Sequence, residues 1–104
     1  MLWMLLWESV SKFMDEIIRK EISFTGNVQG VGFRYRAQYA ASGCGVTGWV
    51  KNEWDGSVLM EIQGMQHQIN EVLKIINASP YINIDRMEYK DLPVDEYASG
   101  FHIR

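Results

Sequence analysis

From residue 26 to residue 34 the chain reads Gly26-Asn27-Val28-Gln29-Gly30-Val31-Gly32-Phe33-Arg34. A short alternating apolar run, Ile22 and Phe24, leads into it, and Phe33, Ala37, Ala40/Ala41 and Cys44 follow at helical spacing. The stretch therefore reads as strand, glycine-rich turn and helix start. That arrangement converges backbone N–H groups on an anion, because the first-turn amides of a helix have no internal partner and the helix dipole adds positive potential there. Glycines take turn conformations that other residues resist and let a phosphate come close to the backbone. Arg34, at the helix entry, offers a planar fork of donors suited to pairs of phosphate oxygens.

The rest of the pattern builds an α+β domain around this turn. Lys20 to Thr25 alternates and reads as the first strand, and Phe33 to Cys44 as the first helix, with Gly43 and Gly45 as stop signals. Val46 to Asn52 reads as the second strand, with Val46, Gly48 and Val50 on one face and Thr47, Trp49 and Lys51 on the other. Asn52-Glu53-Trp54-Asp55-Gly56 is a hairpin turn, so the third strand, Ser57 to Gln63, pairs antiparallel to the second. Met65, Ile69, Val72, Leu73 and Ile76 mark the clearest helix, closed by Pro80. The alternation of Ile82 and Ile84 changes phase at Met87 and Tyr89, which predicts a fourth strand with a bulge near Asp85-Arg86. Pro93 and a polar stretch lead to a last short strand, Gly100 to Ile103. The expected fold is a ferredoxin-like βαββαβ sandwich with an additional C-terminal strand and two helices on one face of a mostly antiparallel sheet.

Composition narrows the functional classes. A chain of 104 residues favours one domain with a modest core. The net charge of −3 argues against a protein that tracks nucleic acid. The local basic spot of Arg34, Arg36 and Lys51 suits one small anion better. Cys44 is the only cysteine, so no intrachain disulfide or cysteine metal cluster can form, and reduced cytoplasm is the simplest compartment. His67 and His102 show no ligand spacing, and no metal or cofactor is expected.

Residues 1–19 stand apart. The first seven, Met-Leu-Trp-Met-Leu-Leu-Trp, are all apolar. That run is far shorter than the roughly 20 residues needed to span a bilayer. It also lacks a basic leader and a small-residue cleavage site. No stable membrane insertion is expected. Trp3, Leu6/Trp7, Val10, Phe13/Met14 and Ile17/Ile18 recur at helical spacing, consistent with an amphipathic helix that docks on the domain, dimerises or touches a membrane weakly. The alternative is that residues 1–13 derive from an upstream start codon and that the working chain begins at Met14.

The chain resembles the acylphosphatase family. The resemblance is carried by Gly26-x-Val28-Gln29-Gly30-Val31-Gly32-Phe33-Arg34, then Gly48-Trp49-Val50-Lys51-Asn52, Asp55-Gly56-Ser57-Val58, Gln63-Gly64 and Phe101-x-Ile103, in order from about residue 18 onward. It implies residues 20–104 as the functional domain, after an N-terminal extension of residues 1–19. It also implies hydrolysis of a small acyl phosphate to a carboxylate and inorganic phosphate, with phosphate as product and competitive inhibitor. On the same resemblance, Arg34 binds the phosphate and Asn52 positions the attacking water. Lys51 stands where family members often carry arginine and is expected to add only a supporting charge.

A carboxylate leaves readily, so attack on phosphorus mainly needs positioning and stabilisation of the phosphoryl oxygens. Amides from Gln29, Gly30, Val31, Gly32, Phe33 and Arg34, with the Arg34 guanidinium, are the expected phosphate ligands. The Asn52 carboxamide can hold one water by donating and accepting. Taken singly, Arg34 would be an ordinary surface arginine and Asn52 a turn residue; their place in the ordered motifs marks them as the catalytic pair. Trp49, Tyr35, Arg36 and Cys44 read as packing or surface residues, His67 as exposed on the second helix, and His102 as lying on an edge or outer strand face. A monomer is expected, with dimerisation through residues 1–19 as the alternative. The rival functional reading is a non-catalytic phosphate-binding module, free-standing or once part of a larger carbamoyl-phosphate-handling enzyme. An RNA-binding sheet, suggested by Phe33, Arg34, Tyr35 and Arg36, fails because those residues begin a helix and cannot form a strand platform.

Overall fold

The computed structural model describes residues 16–104. In chain order it contains β1 (Ile17–Asn27), α1 (Phe33–Cys44), β2 (Thr47–Asn52), β3 (Val58–Met65), α2 (Gln66–Asn77), β4 (Asn83–Leu92) and β5 (Phe101–Ile103). The five strands form one sheet in the order β4-β1-β3-β2-β5. All neighbours are antiparallel except β2 and β5, which run parallel. This is the expected ferredoxin-like α+β sandwich with one added strand.

Alternation along the strands puts one set of side chains under the helices. Ile22 and Phe24 of β1 lie opposite Met60 and Val58 of β3, and Met60 in turn lies opposite Val50 of β2. These five side chains are fully buried. The helices cover them with Phe33, Ala37, Ala40 and Ala41 from α1 and Ile69, Val72 and Ile76 from α2. Removing one such side chain from water contributes roughly 1.5–3 kcal/mol for Val, Ile, Phe or Met. The small alanines let α1 sit close to the sheet. Gln68 fixes the start of α2 by accepting from the Met65 N–H at 2.8 Å.

β1 begins at Ile17 and ends at Asn27, longer at both ends than the Lys20–Thr25 expected. Ile17, Ile18 and Arg19 are strand residues paired with Met65, Gly64 and Gln63, and do not continue a helical segment. The readings made for residues 1–13, and for the amphipathic pattern before Ile17, lie outside the described residues. The bulge in β4 is present. Thr25 pairs with Arg86 and Gly26 with Ile84, which leaves Asp85 as the extra residue. Among the described residues no helix is long and apolar enough to cross a membrane.

Candidate functional site

Two aromatic side chains fix both ends of the glycine-rich loop. Phe24, near the end of β1, and Phe33, the first residue of α1, meet edge to face with ring centroids 4.8 Å apart. Both are at most 2% exposed, and Val28 between them is 1% exposed. The loop is thus anchored in the core at three points, and the backbone between them turns outward. Gly30 and Gly32 make that turn with φ of 71° and 78°, in the left-handed region where a side chain would be strained.

Gly32 is the N-cap of α1 and supplies no side-chain acceptor to the amides above it. The first turn also carries no acidic residue. The first-turn amides therefore stay open to a ligand anion, at the positive end of the helix dipole. They border a concavity of about 150 Å³ lined by Val28, Gly30, Gly32, Phe33, Arg34, Tyr35 and Asn52. Arg34 and Asn52, 18 positions apart in the chain, meet here. Arg34 is half-buried, and its Nη1 has a long contact, 3.5 Å, with the Arg104 main-chain oxygen. A contact that long restrains the guanidinium only weakly.

Asn52 is the last residue of β2 and lies opposite Val58. Its turn is closed by the Glu53 N–H donating to the Ser57 oxygen at 2.9 Å. The Ser57 N–H and hydroxyl both donate to Asp55 Oδ1, at 3.0 and 2.6 Å. These bonds hold the Asp55 carboxyl below its ordinary range, the Ser57 hydroxyl contributing most and the Ser57 amide next. Gln29 joins the turn to the glycine-rich loop: its Nε2 donates to Glu53 O at 2.7 Å and Ser57 O at 2.8 Å. These bonds leave the Asn52 carboxamide out.

The structure gathers some of the expected residues and separates others. Gly30, Gly32, Phe33, Arg34 and Asn52 line one concavity; Gln29 and Val31 are not among its lining residues. The Gln29 side chain is committed to the turn. The basic spot of three residues reduces to one. Arg36 Nε donates to the Ile75 oxygen of α2 at 2.6 Å, tying the helices together. Lys51 lies over the Trp49 ring, 5.6 Å from its centroid, and pairs with Glu53 at 3.6 Å. His67 is exposed, as expected, and His102 is exposed too. Sequence reasoning missed the bracing role of Gln29, the contact to Arg104 and the presence of Tyr35 at the site. A glutamine inside a glycine loop, with no charge of its own, was the one available signal for the brace. Among the described residues no group of three His, Cys, Asp or Glu side chains could hold a metal ion.

Fold and site together define a small α+β protein of ferredoxin-like architecture with a concavity between a glycine-rich loop and a β-hairpin. The family model described as acylphosphatase matches residues 20–103, and the chain belongs to the acylphosphatase family. An acylphosphatase from Clostridium perfringens is 42% identical over 86 residues, covering 82% of this chain and 97% of that one. The crystal structure of acylphosphatase from Bacillus subtilis superposes with a TM-score of 0.76 at 31% identity, over 84% of this chain and 98% of that one. The structure of HypF from T. kodakarensis matches with a TM-score of 0.72 at 27% identity, over 84% of this chain but only 12% of that one.

Proposed function

We propose that this acylphosphatase-family enzyme hydrolyses the carboxyl–phosphate bond of small acyl phosphates, releasing a carboxylate and inorganic phosphate. The observation that carries the reading is that Arg34, Asn52 and the uncapped first turn of α1 border the same concavity. The amides and the Arg34 guanidinium would bind the phosphoryl oxygens and stabilise the charge that builds on them. The Asn52 carboxamide would hold a water for in-line attack on phosphorus. The P–O bond to the carboxylate breaks as the new P–O bond forms, the carboxylate carries away the bonding electron pair, and the water proton passes to a phosphate oxygen or the departing carboxylate. None of these roles requires a titrating side chain at the concavity.

In this reading the working unit is residues 20–104, acting as a monomer, because both key residues come from one chain. The lone cysteine supports a reducing, cytoplasmic setting. A second reading, an anion-binding module without turnover, draws on the likeness to one small part of HypF. The experiment is hydrolysis of benzoyl phosphate by the full chain in EDTA, with phosphate binding followed in parallel. Turnover inhibited competitively by phosphate is expected. Phosphate binding with no turnover would favour the module, and dependence on an added metal would overturn the mechanism.

A further inference from the structure

The phosphate cradle leaves the other half of the substrate unassigned, and one residue of the concavity is built to meet it. Of the seven lining residues, Val28 and Phe33 are buried in the core, Gly30 and Gly32 have no side chain, and Arg34 and Asn52 are polar. Tyr35 is the remaining one and the only lining residue with an accessible apolar surface, being 71% exposed.

Its position on α1 follows from its neighbours. Phe33, Ala37, Ala40 and Ala41 face the core. Arg34 and Gln38 face β5, contacting Arg104 and donating to the Phe101 oxygen. Arg36 faces α2. Tyr35 and Tyr39, one turn apart and both largely exposed, occupy the solvent side that remains. Tyr35 thus stands at the open side of the cradle, next in sequence to Arg34.

In-line displacement fixes where the acyl group goes: attacking water and leaving carboxylate lie on opposite sides of phosphorus. In the reading above the water is held at Asn52, so the acyl group leaves on the side of phosphorus away from that water, and Tyr35 is the exposed side chain of the concavity left to meet it. We propose that Tyr35 is the specificity-determining residue for the acyl group, giving its ring as a partner to aromatic or bulky acyl chains. The inference rests on the acyl-phosphate reading above. Ring–ring contact at a partly exposed site would favour an aromatic acyl group by roughly three- to tenfold.

The test compares kcat/KM for benzoyl phosphate and acetyl phosphate in the full chain, in Tyr35→Ala, Tyr35→Phe and Trp54→Ala. Trp54, 97% exposed on the neighbouring β-hairpin turn, is the competing aromatic surface. Tyr35→Ala is expected to lower the benzoyl-to-acetyl ratio three- to tenfold through KM for benzoyl phosphate, with phosphate inhibition unchanged. Tyr35→Phe should keep the wild-type ratio. An equal loss on both substrates, an unchanged ratio, or a shift seen only in Trp54→Ala would overturn the proposal. Failure of the wild-type chain to hydrolyse either acyl phosphate would instead remove the acyl-phosphate reading on which it stands.

Discussion

Gln29 Nε2 donates to the Glu53 main-chain oxygen at 2.7 Å, and this bond ties the glycine-rich loop to the turn that follows Asn52. A second bond from the same nitrogen, to Ser57 O at 2.8 Å, makes the tie a two-point brace. The loop follows β1, and β2, whose last residue is Asn52, is not its neighbour in the sheet, since β3 lies between them. The brace sets the separation between the glycine-rich loop that would hold the phosphate and the carboxamide that would hold water.

We predict that Gln29→Ala lowers stability by about 1–3 kcal/mol, because the Glu53 oxygen loses its side-chain donor and the Ser57 oxygen is left with the Glu53 N–H alone. It should also lower kcat about tenfold or more while leaving phosphate inhibition within about threefold, since misplacement by a fraction of an ångström harms attack more than binding. Thermal denaturation with steady-state kinetics checks both. Gln29→Glu should be worse, because a carboxylate cannot donate to either oxygen. Normal kcat in Gln29→Ala would show that the brace is structural only.

Arg34 and Asn52 share the concavity but should fail differently. Arg34→Ala removes binding and charge stabilisation together. We expect kcat/KM to fall by about 10²–10³ and phosphate inhibition to weaken in parallel. Asn52→Ala should reduce kcat by a similar factor of about 10²–10³ yet leave phosphate inhibition within about twofold. Joint loss of turnover and phosphate affinity in Asn52→Ala would make Asn52 a shaping residue of the loop. Unchanged phosphate affinity in Arg34→Ala would end its assigned role.

Asp55 gives the hairpin a definite pH dependence. Its carboxyl is held below the ordinary value by the Ser57 hydroxyl and amide. A group whose folded pKa is depressed contributes stability that is complete above its unfolded pKa of about 3.9 and is lost as pH falls through the lower folded value. The difference in melting temperature between the wild type and Asp55→Asn should therefore be constant from about pH 7 to pH 5 and close below about pH 4. Other carboxylates titrate in both proteins, so the difference isolates Asp55. A gap that persists undiminished at about pH 3 would mean that the turn does not depend on the charge.

Much of this fold was legible because its apolar residues keep two clean periods. Val58, Met60 and Ile62 alternate, Ile69, Val72 and Ile76 recur by the turn, and the phase change between Ile84 and Met87 announced the bulge at Asp85. The start of β1 was misread for the same reason: Ile17 and Ile18 also fit the helical spacing of the residues before them. What makes them strand is pairing with Met65 and Gly64, 48 and 46 positions away, which no local period records. Around the concavity, the turn at Gly30 and Gly32 was legible because a left-handed backbone restricts residue type, and the ordered motifs pointed to Arg34 and Asn52, which line it. Gln29, Arg36 and Lys51 were not legible, because their roles depend on which distant carbonyl, ring or carboxylate lies within about 3–6 Å, a matter of tertiary geometry.

The two ends of the Gly26–Arg34 stretch use glycine for opposite reasons, and substitution should separate them. A Cβ on Gly26, at φ 135°, would fall 2.3 Å from the Asn83 oxygen and 2.8 Å from the Asp85 nitrogen, both backbone atoms of the bulged strand. Neither can move without breaking the β1–β4 pairing. Gly26→Ala should therefore cost about 2–4 kcal/mol, read as a fall in melting temperature. A Cβ on Gly32, at φ 78°, meets no protein atom within 4 Å. The cost there is conformational, about 1–2 kcal/mol. Yet Gly32 lines the concavity and caps the helix whose first turn would bind the anion. Gly32→Ala should thus weaken phosphate inhibition by several-fold while melting closer to the wild type than Gly26→Ala does. If Gly26→Ala were the milder of the two in melting temperature, close packing under the bulge would not be what fixes glycine at that position. If Gly32→Ala left phosphate inhibition unchanged, the anion would have to bind without the N-terminal turn of α1.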